Sequence, residues 1–494
     1  MSVSNAARKA AEEKSPAWQN LIDGRWQAAS DGRTLDMVSP SDGQPFATIA
    51  RGTAADVDAA VKAARHAYAQ GAWGRLTATE RGRLLTKLGE AITAHHEELA
   101  QLEARDCGKP MKQARADITA AARYFEYYGG AADKVHGETI PFLDGYLVTI
   151  LREPKGVTGH IIPWNYPAQM FGRSVAPALA MGNAVVMKPA EDACVAPLRM
   201  AQLAQEAGFP PGALNVVTGL GEEAGAALAA HPDINFLSFT GSPEVGTLVQ
   251  KAAAENHIGC TLELGGKSPQ IVFEDADFDA VVPVVVNAIV QNGGQTCSAG
   301  SRVLVQKSIH DRFVAAVSAR FRQLRVGSHA MDLDCGPMIS ANQRKRVQGF
   351  IEQAKKDGVP VLAEAQIAEG TPAGGYYVAP VLFGPVPREN RLACEEVFGP
   401  VLSIIPFEDE ADAIRLANST DYGLVAGIWT RDGGRQMRVA KKMHCGQVFV
   451  NGYGAGGGIE LPFGGVKKSG HGREKGFEAL HEFSQTKTIV FKHG

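Results

Sequence analysis

The sequence has no C-x-x-C pair, no long block of one charge sign, no internal repeat and no apolar stretch long enough to span a bilayer. Its seven cysteines, at 107, 194, 260, 297, 335, 394 and 445, are odd in number and unpaired in spacing. That argues against a disulfide framework or a zinc site and points to a reducing compartment, so no metal is expected. Fifty basic residues stand against 53 acidic ones, a net charge of −3, which disfavours nucleic acid and membrane surfaces as partners and leaves small molecules. The most apolar stretch, Phe278–Val290, contains Asp279, Pro283 and Asn287 and is too short to cross a membrane. Residues 1–16 carry Glu12 and Glu13 among their basic residues and lack an apolar core. They read as a frayed tail rather than a secretory signal or transit peptide, so a cytoplasmic protein is expected. Low complexity is confined to the glycine cluster at 452–458.

A length of 494 residues with 45% hydrophobic content exceeds what one hydrophobic core supports, so two or more domains are expected. Residues 54–128 carry helical periodicity broken at 71–75 and at Cys107-Gly-Lys-Pro110, which predicts several packed helices. From 156 to 239, strand-like runs at 161–162, 184–187, 214–217 and 234–239 alternate with helices and imply a parallel sheet. A second alternation runs through 269–273, 302–306, a helix over 308–324, 401–407 and 447–450, predicting a second α/β unit. Two further segments of alternating character, 145–152 and 486–492, lie far apart in the chain.

Cys297 lies in Gln291-Asn-Gly-Gly-Gln-Thr-Cys-Ser-Ala-Gly-Ser-Arg302. Small, polar flanks and glycine turns ahead of a β-branched strand suit a thiol that faces a pocket and acts as a nucleophile. Taken alone, a free cysteine is more often an inert core filler. Three segments accompany it: Ile161-Ile-Pro-Trp-Asn-Tyr-Pro167, Leu262-Glu-Leu-Gly-Gly-Lys-Ser-Pro269 and Glu395-Glu-Val-Phe-Gly-Pro400. In order and approximate spacing these four segments, with Pro462-Phe-Gly-Gly-Val-Lys-Lys-Ser-Gly470, resemble the NAD(P)-dependent aldehyde dehydrogenases of the non-acylating, hydrolytic type, from about Trp18 to the C-terminus.

The resemblance implies an α/β fold with a variant Rossmann cofactor domain (17–134 and 155–264), an α/β catalytic domain (265–477) and a β-arm for oligomerisation (135–154 and 478–494). It also implies a homodimer or homotetramer. The strand at 234–239 is followed by Thr240-Gly-Ser-Pro-Glu-Val-Gly246, which predicts a helix with Ser242 as N-cap and Pro243 at its first position. Free amides at such a helix start suit a pyrophosphate, and Gly241 lets it approach the backbone; by itself the segment is also a plain capped helix. Gly219-Leu-Gly-Glu-Glu-Ala-Gly225 has one residue too many for the dinucleotide fingerprint. Glu191, at the end of Val185-Val-Met-Lys-Pro-Ala-Glu191, suits the hydroxyls of an adenosine ribose and disfavours a 2′-phosphate, so NAD is preferred over NADP, although Lys188 could turn toward a phosphate. By resemblance, Ile162, Pro163, Trp164, Lys188, Glu191, Gly221, Phe239, Gly241, Ser242, Val245 and Leu264 belong to the nucleotide site, and Glu396 and Phe398 to its nicotinamide end.

The chemistry expected is addition of Cys297 to an aldehyde carbonyl, with the oxyanion held by the Asn165 side-chain amide and, by resemblance, the Cys297 N–H. Glu263, between Leu262 and Leu264, is the candidate base for hydrolysis of the resulting thioester, its desolvation raising its pKa. A charged residue at a strand edge is the plainer alternative. Tyr166, Met170 and Arg173 are spaced along one face of a helix that Pro167 starts, so they should border the aldehyde tunnel, together with Thr296, Ser298 and Phe463. Arg173 resembles the carboxylate-binding arginine of succinate-semialdehyde dehydrogenases, which suggests a semialdehyde substrate. The second arginine of those enzymes is Gln291 here, and Gly456 to Gly458 replace polar or bulky residues. Arg173 paired with an acidic neighbour, and an aromatic or aliphatic aldehyde, is the alternative.

Overall fold

The computed structural model describes residues 17–454 and 458–493; the N-terminal tail and Gly456 and Gly457 lie outside the described residues. Four helices, Ala54–Ala69, Ala78–Ala94, His96–Cys107 and Met111–Ala131, occupy the region of helical periodicity. The third ends where Gly108, in the left-handed region (φ +76°), interrupts the pattern, and the fourth starts just after Pro110.

Two parallel sheets carry the rest. In the first, Gly259–Glu263, Phe236–Thr240, Val157–Ile162, Ala184–Pro189 and Leu214–Val216 lie side by side and parallel. The short strand Gly470–His471 pairs antiparallel at one edge and the hairpin Asn20–Ile22/Arg25–Gln27 closes the other. The central strands are buried except for the part-buried Ile161 and rich in Val, Ile and Phe, as a sheet covered on both faces requires. The helix Pro167–Ala180 crosses this sheet between Val157–Ile162 and Ala184–Pro189. In the second sheet, Val381–Phe383, Val401–Phe407, Arg302–Gln306, Pro269–Val272, Val425–Trp429 and Gln447–Val450 are parallel, with Val361–Glu364 antiparallel at the edge.

The helix expected over 308–324 is shorter, His310–Phe321, after a turn of 3₁₀ helix at Lys307–Ile309. The two remote alternating segments do pair: Ser484–Lys492 runs antiparallel to Tyr146–Pro154 over its whole length, with Glu138–Ile140 on the far side. The strand Ser484–Lys492 starts just after Ala479, Leu480 and Phe483, which are buried in the core of the first sheet.

Candidate active site

Cys297 is delivered by a turn that only a glycine-rich segment makes cheaply. Asn292, Gly293 and Gly294 all lie in the left-handed region (φ +50°, +64° and +72°), a conformation that glycine tolerates and Asn accepts. The turn brings the thiol, part-buried, to the junction of two cavities. One, of about 740 Å³, is walled by Tyr124, Tyr166, Met170, Arg173, Tyr453 and Phe463. The other, of about 1010 Å³, holds Trp164, Asn165, Ser242, Glu263, Glu396 and Phe398. Cys297 and Met170 line both. Burial pushes the Cys297 thiol up to about 12; the Arg173 charge works against this shift while Glu263 and Glu396 add to it. The resting group is therefore the neutral thiol.

Asn165 is held from several sides. Its Nδ2 donates to the Gln295 backbone carbonyl at 2.9 Å, and its backbone carbonyl accepts from Asn292 Nδ2 at 2.8 Å and from Lys109 Nζ at 3.0 Å. Lys109 is itself fully buried between Glu103 (2.9 Å) and Asp117 (2.6 Å). One Nδ2 hydrogen of Asn165 goes to Gln295, which leaves a second for a ligand. Glu263 ends the strand Gly259–Glu263 and is buried (2% exposed), and neither of its carboxylate oxygens has a hydrogen bond among the described residues. Burial raises its pKa well above the ordinary carboxylate range; Arg173, whose Nη2 lies 3.4 Å from Glu263 Oε2, opposes this and Glu474 reinforces it.

On the cofactor side, the helix Pro243–Glu255 starts as the sequence predicts, with Ser242 Oγ accepting from the Val245 N–H at 3.3 Å. Thr240, Gly241, Ser242, Pro243 and Glu244 all line the larger cavity, so a helix N-terminus opens into it. At the opposite end Glu396 Oε1 accepts from the Gly266 N–H at 2.8 Å, and a Cβ on Gly265 would collide with the same carboxylate. Burial pushes Glu396 up to about 7. Phe398 sits at φ +57°, its carbonyl accepting from Gln343 Nε2 at 2.7 Å and its ring edge-on to Trp164 at 5.4 Å. A non-glycine residue in that region costs on the order of 1–3 kcal/mol and persists where the surroundings fix it.

Of the other nucleotide-site candidates, Pro163 lines the cavity whereas Ile162, Lys188, Glu191, Gly221, Phe239, Val245 and Leu264 do not. Lys188, Glu191 and Gly221 form a separate polar group: Glu191 meets Lys188 Nζ at 2.5 Å and accepts from the Gly221 N–H at 3.1 Å. Burial opposes the Glu191 charge, yet Lys188 keeps its pKa below the usual range. Val245 is largely exposed, and Leu264 is buried against Gly246.

On the tunnel side, Tyr166, Met170, Arg173, Thr296, Ser298 and Phe463 all border the smaller cavity. Tyr166 Oη meets Thr296 Oγ1 at 2.8 Å and accepts from Gln291 Nε2 at 3.0 Å, and Tyr453 Oη donates to the Ser298 carbonyl at 2.7 Å. Arg173 is buried, ion-paired through Nε to Glu474 and through Nη2 to Glu263, and stacked 4.4 Å above the Phe463 ring. Sequence reasoning missed Glu474, Lys475, Lys109 and Gln343. A signal for the first two was present: Arg473-Glu-Lys475 is a charged triplet three residues beyond the glycine-rich motif that ends at Gly470. Among the described residues no cluster of three or more His, Cys, Asp or Glu side chains could hold a metal, and no helix is long and apolar enough to cross a membrane.

The aldehyde dehydrogenase family model matches residues 26–489. The chain belongs to the aldehyde dehydrogenase family. Its α/β fold, its enzyme class and its NAD cofactor follow from that membership. It is 41% identical to retinal dehydrogenase 2 from Homo sapiens over 96% of this chain and 91% of that one. A solved putative aldehyde dehydrogenase from Burkholderia cenocepacia superposes with a TM-score of 0.96 at 62% identity, covering 96% of this chain and 100% of that one. The NAD+ complex of an aldehyde dehydrogenase from Bacillus cereus superposes with a TM-score of 0.94 at 39% identity, each chain covered to 99%.

Proposed function

We propose that this chain oxidises an aldehyde to the carboxylic acid by way of a thioester on Cys297. The observation that carries this is the convergence of Cys297, Asn165 and Glu263 on the cavity into which the Ser242-capped helix opens. NAD, when bound there, supplies the hydride acceptor. The residues fit it: free amides at a helix N-terminus for the pyrophosphate, a small Gly241 beneath it, and Glu396 and Phe398 at the end nearest the thiol. Glu191, already committed to Lys188 and Gly221, is the carboxylate for the adenosine ribose.

Sγ of Cys297 attacks the carbonyl carbon entering from the tunnel while its proton passes to water in the adjoining cavity. The Asn165 amide and the Cys297 N–H meet the developing oxyanion. After hydride departure, Glu263 removes a proton from water, which attacks the thioester and frees the thiol. A carboxyl held above its ordinary range by burial is suited to taking that proton near neutrality.

For the substrate, the structure favours a neutral aromatic or aliphatic aldehyde. The arginine on which a semialdehyde would depend points into the tunnel wall, but its charge already faces two carboxylates, Glu474 and Glu263. A carboxylate-bearing aldehyde has one observation in its favour: Lys475 borders the tunnel beside Arg173, and burial with the neighbouring Arg173 charge brings it down to about 8. The exposed apolar residues Leu147, Val490 and Phe491 on the arm sheet fit pairing with another subunit, and seven free cysteines fit a cytoplasmic setting. The test is NADH formation and acid product from protein, NAD and propanal. Absence of NADH with every aldehyde offered would overturn the proposal.

A further inference from the structure

Behind the catalytic carboxyl lies a hydrogen-bond chain that the reaction as described does not use. Glu474 is 2% exposed, with Oε2 against Arg173 Nε and Oε1 accepting from Ser238 Oγ at 2.9 Å. Ser238 Oγ lies 3.1 Å from Ser174 Oγ, Ser174 Oγ 2.6 Å from His160 Nδ1, and His160 Nε2 2.8 Å from Thr158 Oγ1. All are buried, on the strands Val157–Ile162 and Phe236–Thr240 and the helix Pro167–Ala180. Burial holds His160 down to about 3, so its ring is neutral and carries one N–H.

Counting hydrogens fixes the direction of the chain. With Glu474 ionised, the Ser238 hydrogen goes to Glu474, so Ser174 must donate to Ser238, His160 Nδ1 to Ser174, and Thr158 to His160 Nε2. Every bond is then 3.1 Å or shorter. With Glu474 protonated and donating, the whole chain reverses and ends on a Thr158 to Ala184 carbonyl contact of 3.4 Å, its poorest bond. The ion pair with Arg173 selects the same direction as the better-made chain.

We propose that the His160–Ser174–Ser238 chain keeps the negative charge on Glu474 and so makes Glu263 the carboxyl that holds the pair's proton at rest. The inference rests on Glu263 being the hydrolytic base, and gives the chain's members a positioning role. Glu263 faces Arg173 from the helix, Arg473, Glu474 and Lys475 from the C-terminal loop, and Cys297 across the cavity. Glu474 faces Arg173, Glu263, and Tyr124 and Tyr128 from the helix Met111–Ala131. The Glu474 charge raises the cost of ionising Glu263, and Arg173 lies between the two carboxyls. Weakening the donor to Glu474 shifts the shared proton toward it, and Glu263 then ionises at lower pH.

The test is the pH dependence of thioester hydrolysis, read as acid release after the NADH burst from propanal, in wild type and Ser238→Ala. The acid limb of the variant should move down by about one pH unit, equivalent to about tenfold faster hydrolysis below the wild-type midpoint. Ser238→Thr, which restores the hydroxyl, should return it. Should Ser238→Ala fail to fold, Ser174→Ala interrupts the same chain one bond further on and should shift the limb in the same direction. An acid limb that stays in place or moves up, whatever the loss of stability, would overturn the inference, because a merely structural role lowers stability without moving the limb. Failure of the proposed function has a different signature, a wild type that yields no NADH from any aldehyde, and the inference would fall with it.

Discussion

Where the cofactor cleft is shaped largely by backbone and chain turns, the tunnel on the other side of Cys297 is walled by side chains from distant segments. The cleft uses a capped helix start at Ser242, a glycine pair at 265–266 and a strained Phe398. The tunnel uses Tyr124 and Met170 from two helices, Tyr453 and Phe463 from loops, and a buried charge cluster of Arg173, Glu263, Glu474 and Lys475. Backbone sites bind the group that every member of an enzyme class shares, and side-chain walls choose the group that varies. Substitutions on the two sides should therefore fail in different ways.

The largest effect belongs to the residue common to both cavities. Cys297→Ser should lower NADH production from propanal by at least about 10³-fold, measured by steady-state absorbance, because a serine hydroxyl is a far weaker acid and nucleophile than a thiol near neutral pH. Asn165→Ala should cost about 10²–10³ in kcat, on the order of 3 kcal/mol of barrier, with the KM for NAD unchanged.

On the tunnel side, Arg173→Ala leaves Glu474 buried without its partner. It should lose about 3–5 kcal/mol of stability by denaturant unfolding. Its turnover of benzaldehyde and of succinic semialdehyde should fall in equal proportion; a loss confined to the semialdehyde would show that the arginine binds substrate. On the cofactor side, Glu191→Ala should change kcat little, raise the KM for NAD by about tenfold and narrow its advantage over NADP.

The same contrast explains what the sequence discloses. The Asn-Gly-Gly turn before Cys297, the Ser-Pro helix start at 242–243 and the desolvated Glu263 between two leucines are local patterns with local causes, and each is visible in a few consecutive residues. Alternation marks 145–152 and 486–492 as strand-like, but their pairing with each other, and its start at Ser484 beside the buried Leu480 and Phe483, joins segments far apart in the chain. Arg173 illustrates the limit. Its helical spacing from Tyr166 and Met170 brings it to the tunnel wall, but its charge is answered by Glu474, about three hundred residues further along the chain. No local pattern announces that contact. Lys109, whose ammonium braces the Asn165 carbonyl, reads in sequence as nothing more than part of a helix break.

The most direct measurement is rapid mixing of Glu263→Gln with NAD and propanal, following NADH and acid product together. A base that acts only after hydride transfer predicts a burst of about one NADH per subunit, then steady turnover slowed by about 10²–10⁴ relative to wild type, with a protein-bound thioester trapped by acid quench. Wild-type turnover by the variant, or loss of the burst itself, would contradict the account.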